Sequence, residues 1–384
     1  MKKFIFVFML VFVSLFALVA CKENGDDDKT FKVAMVTDYG DITDQSFNQA
    51  TYEGCKDWCQ KNNVDFKYYK PATNSDDDRI ASTKEAIAAG YNVIVMPGYA
   101  FAPTIEAVAT KYADVYFIAL DVALGDLLAA HFPDYNYDPS DSKWASYSLP
   151  ANVYCAVYQE EIAGYLAGYA AVQEGYTKLG FLGGMSVPAV VRYGYGFVQG
   201  ADKAAQEKDV EISINYVYGG QFFGDSDITA VMDTWYNGGT EVVFACGGGI
   251  FSSAAEAAKK KNAKVIGVDV DQRPTIDGLY GEGMTVTSAM KGLYATVQTS
   301  LTNLITDGKF VSKIDTLGLV SKDNLSLNYV QLPTEGWAMK NFTVEQYKDL
   351  VAKIFDKEIV ISADISAHPT VSDKTEVDYQ ADIK

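Results

Sequence analysis

The stretch FKVAMVTD (Phe31–Asp38), followed at once by YGDITDQSFNQ (Tyr39–Gln49), decides the fold. Phe31–Asp38 is a short apolar run closed by a Gly/Asp turn, which predicts a buried strand. Helical spacing takes over from about Gln45 to Lys61. The same unit then repeats outward along the chain. Strands are expected at 64–69, at 92–96 closed by Pro97-Gly98, and at 115–120 ending in Asp121, with helices at 79–89 and 102–112 between them. Strand alternating with helix in this way builds a parallel sheet with both faces covered. A second set follows, with strands at 153–157, 178–182, 212–218, 241–245 and 264–268 and helices at 160–172, 189–207, 227–236 and up to about 261. The fold class is therefore α/β: two doubly wound lobes with a central cleft. Two stretches fit less well. Residues 125–150 are aromatic and turn-rich and are expected to form a loop insertion, and the tail beyond Lys357 is mostly polar.

The chain has 384 residues, with 32 Lys+Arg against 50 Asp+Glu and a formal charge of -18. Hydrophobic residues make up 48%, enough for a packed core. The acidic balance argues against nucleic-acid binding, which needs a basic face to neutralise phosphates. Only two histidines occur, His131 and His368, far apart in sequence. That removes most Ser–His and Cys–His nucleophile schemes and most zinc sites, and leaves carboxylate acid–base chemistry open. Cys55 and Cys59 stand four apart on an expected helix, a poor geometry for a disulfide, so buried thiols are expected there and at Cys155 and Cys246.

At the amino terminus, Lys2 and Lys3 precede the apolar run Phe4–Ala20, which is too short to span a bilayer stably. The run ends in LVAC, which resembles the bacterial lipobox, with Leu18 at −3 and Ala20 at −1 of Cys21. Residues 1–20 are therefore expected to be a signal peptide and Cys21 a lipidation site. An ordinary signal peptide with an incidental cysteine is the alternative. KENGDDDKT (Lys22–Thr30) is polar and acidic and reads as a solvated tether. The expected location is the cell membrane, lipid-anchored and outside the cytoplasm.

Ligands of doubly wound sheets bind beyond the carboxyl ends of the strands, so the residues there carry the function. They include Asp38, then Phe47 and Asn48 at a helix start, then Asp121. The second unit supplies Gly183-Gly184, Gly219–Phe223, Gly247–Gly249 and Asp269. Carboxylates accept hydrogen bonds from a diol, an amide reads the edge of a heterocycle, and aromatic rings sandwich its faces, at roughly 1–3 kcal/mol per stacked base. A phosphate ligand is disfavoured by the carboxylates and by the lack of a GxxxxGK[ST] loop.

DQSFNQ (Asp44–Gln49) after Asp38 resembles the opening motif of the basic membrane protein family, substrate-binding lipoproteins of ABC importers that include bacterial purine nucleoside receptors. EEIAGYLAG (Glu160–Gly168), GGMSVP (Gly183–Pro188), RYGYGFVQG (Arg192–Gly200), IGVDVDQ (Ile266–Gln272) and TSAMK (Thr287–Lys291) match in the same order, within residues 31–330. The resemblance implies a type I periplasmic-binding-protein-like fold, with lobe 1 from 31–150 plus about 285–320 and lobe 2 from 151–284 plus about 321–384. It also implies a nucleoside in the cleft, no cofactor, no catalysis and an ABC permease as partner. Phe47 and one of Phe222 or Phe223 would stack on the base, while Asn48 and Asp121 read its edge. Asp269 and Lys291 would hold ribose hydroxyls beside the Gly247 backbone, and Asp38 would bond the ligand or brace the turn. The segment GGQFFGD (Gly219–Asp225) is longer than the family's spacing; its F-x-D favours Phe223 as the stacking ring. Other readings are a sugar or other small metabolite in the same fold, or a surface adhesin. DYGDITD (Asp38–Asp44) also resembles the calcium loop of nucleoside hydrolases, but that pattern needs adjacent aspartates and a later histidine segment, and neither is present.

Overall fold

The structure, a computed structural model, describes residues 30–138 and 140–384. The expected signal peptide, Cys21 and the tether up to residue 29 lie outside the described residues. In lobe 1, β1 (Lys32–Val36), β2 (Asp65–Tyr69), β3 (Val93–Pro97), β4 (Tyr116–Leu120) and β5 (Val153–Tyr158) follow in chain order. Lobe 2 contains β6 (Lys178–Gly183), β7 (Ile212–Tyr218), β8 (Val242–Cys246), β9 (Lys264–Asp269) and β10 (Thr285–Lys291). The chain then adds β11 (Lys313–Leu317) to lobe 1, and β12 (Val330–Gln331) and β13 (Thr375–Tyr379) to lobe 2.

Both sheets wind the same way. The first runs β11-β5-β4-β3-β1-β2 and the second β12-β10-β9-β8-β6-β7-β13. Pairing is parallel throughout except for β12, which is antiparallel to β10. Central strands such as β3 and β8 are buried along their whole length, because helices cover both faces. The acidic run Asp76–Asp78 opens the helix Asp76–Ala88, and Lys259–Lys261 close the helix Phe251–Lys261. Each run thus faces the helix pole of opposite sign.

The chain crosses between lobes after β5, β10 and β11, and the crossings are tied together. Gln159 N–H donates to Leu317 O (2.9 Å), Tyr329 N–H to Gly318 O (3.0 Å) and Gly292 N–H to Tyr329 O (2.7 Å). A Cβ at Gly318 would stand 1.7 Å from Gln159 Oε1, so a side chain there would have to displace the Gln159 amide.

The lobe boundaries differ from those expected. β5 pairs with β4 and closes the sheet of lobe 1 instead of opening lobe 2 at 151, and β10 pairs with β9 in lobe 2 instead of returning to lobe 1 at 285. An apolar run shows that a strand exists but not which neighbour it takes, and pairing alone assigns it to a sheet. The insertion 125–150 holds two short helices, Leu124–His131 and Lys143–Ser146. The tail is ordered as β13 along β7. Cys55, Cys59, Cys155 and Cys246 are buried and free.

Candidate functional site

A cavity of about 500 Å³ opens between the lobes, at the carboxyl ends of both sheets. The structure brings every binding residue expected from the sequence to its wall: Asp38, Phe47, Asn48 and Asp121 from lobe 1, and Phe222, Phe223, Gly247, Asp269 and Lys291 from lobe 2. The matching strand orders explain the convergence. β4 and β9 hold the same place in their sheets, and the aspartates at their ends, Asp121 (φ 60°) and Asp269 (φ 64°), both adopt the left-handed conformation that Asp tolerates better than most residues. Lys291 ends β10 as Tyr158 ends β5, again in equivalent places.

Lys291 is the hub. Its side chain is 3% exposed, and Nζ lies 2.6 Å from Asp121 Oδ2 and 3.1 Å from Glu160 Oε1. The rings of Phe47, Tyr158 and Tyr193 stand 5.1, 5.3 and 5.6 Å away, within cation–π range. Burial by itself would lower the Lys291 ammonium, yet Asp121, Glu160 and Asp269 outweigh it and hold it above its ordinary value. Burial raises Asp121 and Asp269 in spite of the neighbouring ammonium. For Glu160 burial loses to the cations, because Arg192 Nε bonds it at 2.7 Å alongside Lys291 and its carboxyl falls below the ordinary range.

Two glycine-spaced motifs place this cluster. The helices Glu160–Glu174 and Pro188–Lys208 cross at backbone contact. A Cβ at Gly164 or Gly168 would meet Tyr193 O or Phe197 O at 2.0 or 2.1 Å, and one at Gly196 or Gly200 would meet Glu161 O or Tyr165 O at 2.0 Å. With no side chain between them, the start of one helix lays Glu160 against Arg192 of the other.

The first turn holds its own network. Asp38 Oδ1 accepts from Tyr39 N–H (2.6 Å), Gly40 N–H (2.7 Å) and Asn48 Nδ2 (3.2 Å), so it braces the turn. Asp44 caps the helix Phe47–Asn62 by accepting from the N–H groups of Ser46, Asn48 and Gln49. Burial raises both carboxyls against these bonds. Asn48 Nδ2 also donates to Asp44 Oδ2 (3.2 Å), which fixes the amide with its oxygen left over. Asn48 Oδ1 and Asp121 Oδ1 are both buried and without a hydrogen-bond partner. A buried acceptor left unmade costs about 1–3 kcal/mol, and these two stand on residues of the cavity wall, where a donor from a bound molecule can satisfy them.

Phe222 and Phe223 occupy different depths. Phe222 is half-buried over glycines; a Cβ at Gly184 or Gly247 would strike its ring at 2.3 or 2.9 Å. Phe223 is 59% exposed at the rim. Asp225, the last residue of the F-x-D spacing, caps the helix Ser226–Asn237 through the N–H groups of Asp227 and Ile228.

The lobes also bond to each other directly. Ser46 Oγ donates to Asp269 Oδ2 (2.5 Å), Gln272 Nε2 to Gln45 O (3.0 Å), Thr275 Oγ1 to Gln45 Oε1 (3.0 Å) and Tyr39 OH to Met185 Sδ (3.4 Å). Sequence reasoning missed Glu160, Arg192, Tyr193 and Ser46 as parts of the site. All four stand inside quoted motifs, but a Glu at a helix start reads as an ordinary cap, and only the helix crossing turns it inward. Asp126, in the stretch expected to be a loop insertion, also stands on the cavity wall, and burial raises its carboxyl to about 6.

A two-lobed α/β chain with a walled polar and aromatic cavity between sheets crossed by three segments belongs to the class of periplasmic-type solute-binding proteins. The chain belongs to the Bmp family of PnrA-like ABC transporter substrate-binding proteins, whose model matches residues 31–364. It is 27% identical to the ABC transporter nucleoside-binding protein BmpA of Lactococcus lactis subsp. cremoris, over 94% of this chain and 99% of that protein. It is also 27% identical to basic membrane protein A of Borreliella afzelii, over 86% of this chain and 91% of the relative. Among solved structures, a solute-binding protein of an ABC transporter system from Conexibacter woesei superposes with a TM-score of 0.64 at 20% identity, covering 87% of this chain and 99% of that one. One from Aeropyrum pernix does so with a TM-score of 0.62 at 20% identity, covering 86% and 87%. At that identity these two share the fold.

Proposed function

We propose that this protein captures a nucleoside, preferably a purine nucleoside, between its lobes and presents it to an ABC permease, while held to the outer face of the cell membrane by lipid on Cys21. The observation that carries the ligand is the pair of buried, unpartnered acceptors, Asn48 Oδ1 and Asp121 Oδ1, in a cavity flanked by aromatic rings from both lobes. Such a site suits a flat molecule whose edge offers N–H donors. The base lies between Phe47 and Phe222 or Phe223, and its edge meets Asn48 and Asp121. Ribose hydroxyls meet Asp269 and Lys291 beside the Gly247 backbone, and Asp38 keeps the turn in place. The nucleoside-binding relative from Lactococcus supports the same ligand class.

No covalent step is involved. Binding shifts a population toward the closed lobes, and the closed form is what the permease engages. Useful capture needs micromolar to nanomolar affinity, roughly −8 to −12 kcal/mol. The test is isothermal titration of the chain lacking residues 1–21, refolded to strip carried-over ligand. The titrants are inosine, guanosine, adenosine, cytidine, ribose and adenine. Tight binding of nucleosides with ribose and adenine both weak is the expected result. Ribose binding as tightly as inosine would move the assignment to a sugar, and no heat from any titrant would end the nucleoside reading.

A further inference from the structure

We propose that the segment Gln380–Lys384 is a strap that positions the loop bearing Phe222 and Phe223, and so sets ligand affinity from outside the cavity; this rests on the nucleoside reading above. β13 covers the edge of β7, and the chain keeps to that edge beyond it. Gln380 N–H donates to Tyr216 O and Ile383 N–H to Tyr218 O, each at 2.9 Å. The Trp235 indole donates to Gln380 Oε1 (3.2 Å), and Ile383 packs on the apolar cluster that holds Val217, Ile228 and Trp235.

The path ends on the loop itself. Gly220 accommodates Lys384 so closely that a Cβ there would stand 2.8 Å from Lys384 Cβ. Lys384 Nζ bonds Asp225 and reaches Gln221 Oε1 at 3.4 Å. Gln221 Nε2 in turn donates to Asp225 Oδ2 (2.8 Å) and to Phe223 O (2.9 Å). Gln221 and Asp225 flank the two phenylalanines, so this knot clamps both ends of the loop. Phe223 is 59% exposed; its backbone is bridged to Gly249, and the knot adds a second hold at the ends of the loop. The strap lies beyond the family match, which ends at residue 364.

The test compares Lys384→Ala, Lys384→Arg and removal of residues 380–384 with the wild-type chain, using inosine titration and stopped-flow dissociation. The Lys384–Asp225 pair is a surface pair that adds little to stability, so Lys384→Ala is expected to weaken binding by up to about fivefold, through faster release. Removal of 380–384 weakens binding further, Lys384→Arg restores it, and the thermal melt of the point variants stays at the wild-type value. In a Phe223→Ala background, Lys384→Ala is expected to add nothing, because its effect passes through that loop. Wild-type affinity in both Lys384→Ala and the shortened chain overturns the strap, as does an undiminished effect in the Phe223→Ala background. Failure of the wild-type chain to bind inosine or any other nucleoside is a separate result that removes the nucleoside reading and the strap with it.

Discussion

Replacing Lys291 by Met keeps the length of the side chain and deletes the charge that three buried carboxylates share. Asp121 loses an ammonium at 2.6 Å and Glu160 one at 3.1 Å, while Asp269 loses the cation that opposes its burial. Glu160 keeps Arg192 at 2.7 Å, so the effect falls on the aspartates. Without a partner, a buried aspartate takes up a proton in the folded state. From an ordinary pKa near 3.9 this costs about 5 kcal/mol at pH 7.5 and about 1.5 kcal/mol at pH 5. Those figures are ceilings, because burial already holds both aspartates above their ordinary value in the native chain. The variant should lose about 3–5 kcal/mol at pH 7.5, the range for breaking a buried pair from one side, and about a third of that at pH 5. The sign follows from linkage: folded carboxyls with raised pKa bind protons that the unfolded chain has released, so stability falls as pH climbs above about 4. Urea unfolding at both pH values measures it, and adding Asp121→Asn should recover part of the loss at pH 7.5 by removing one orphaned charge. A loss below about 1 kcal/mol at pH 7.5, or the same loss at both pH values, would refute the claim that Lys291 neutralises this cluster.

Phe47→Ala should weaken nucleoside binding about 5- to 150-fold, given roughly 1–3 kcal/mol per stacked base, and Asp269→Ala should also weaken it, with circular dichroism showing both variants folded. Wild-type affinity in both, read by titration calorimetry, defeats the site assignment. Glu161 is buried with Oε2 unpartnered, and burial raises its carboxyl from 4.5 to about 7. The folded chain therefore holds this proton more tightly than the unfolded one, and stability from this group is lost as pH rises from about 4.5 to about 7. Glu161→Gln should accordingly exceed wild type by about 2–3 kcal/mol in urea unfolding at pH 8 and match it at pH 4; a gain independent of pH counts against a protonated Glu161. Gly168→Ala forces a Cβ to 2.1 Å from Phe197 O and should cost about 3 kcal/mol, read as a lowered Tm; an unchanged Tm would mean the two helices slide apart freely.

The expected strands from Phe31 to Asp269 match the observed ones within a residue or two, because a buried parallel strand is a short apolar run closed by a turn, and both signals are local in sequence. The residues at the strand ends were legible for the same reason: in a doubly wound sheet, a position just after a strand is a position at the cleft. β10 to β13 were less legible. Edge strands such as β11 alternate weakly, β12 has only two residues, and β13 lies in a polar tail where nothing local announces a partner.

Local sequence signals were enough for the two α/β lobes, the family and the strand-end side chains on the cavity wall, though not for Asp126, Arg192 and Tyr193 beside them. Which lobe owns β5 and β10 came from folding contacts alone, since pairing joins distant segments and leaves no mark on either one. Tertiary structure alone turned Glu160 inward, through a helix crossing in which glycines are read by what they leave out. And it alone left Asn48 and Asp121 each with one unused acceptor, because whether a polar atom is satisfied depends on every neighbour that folding brings to it.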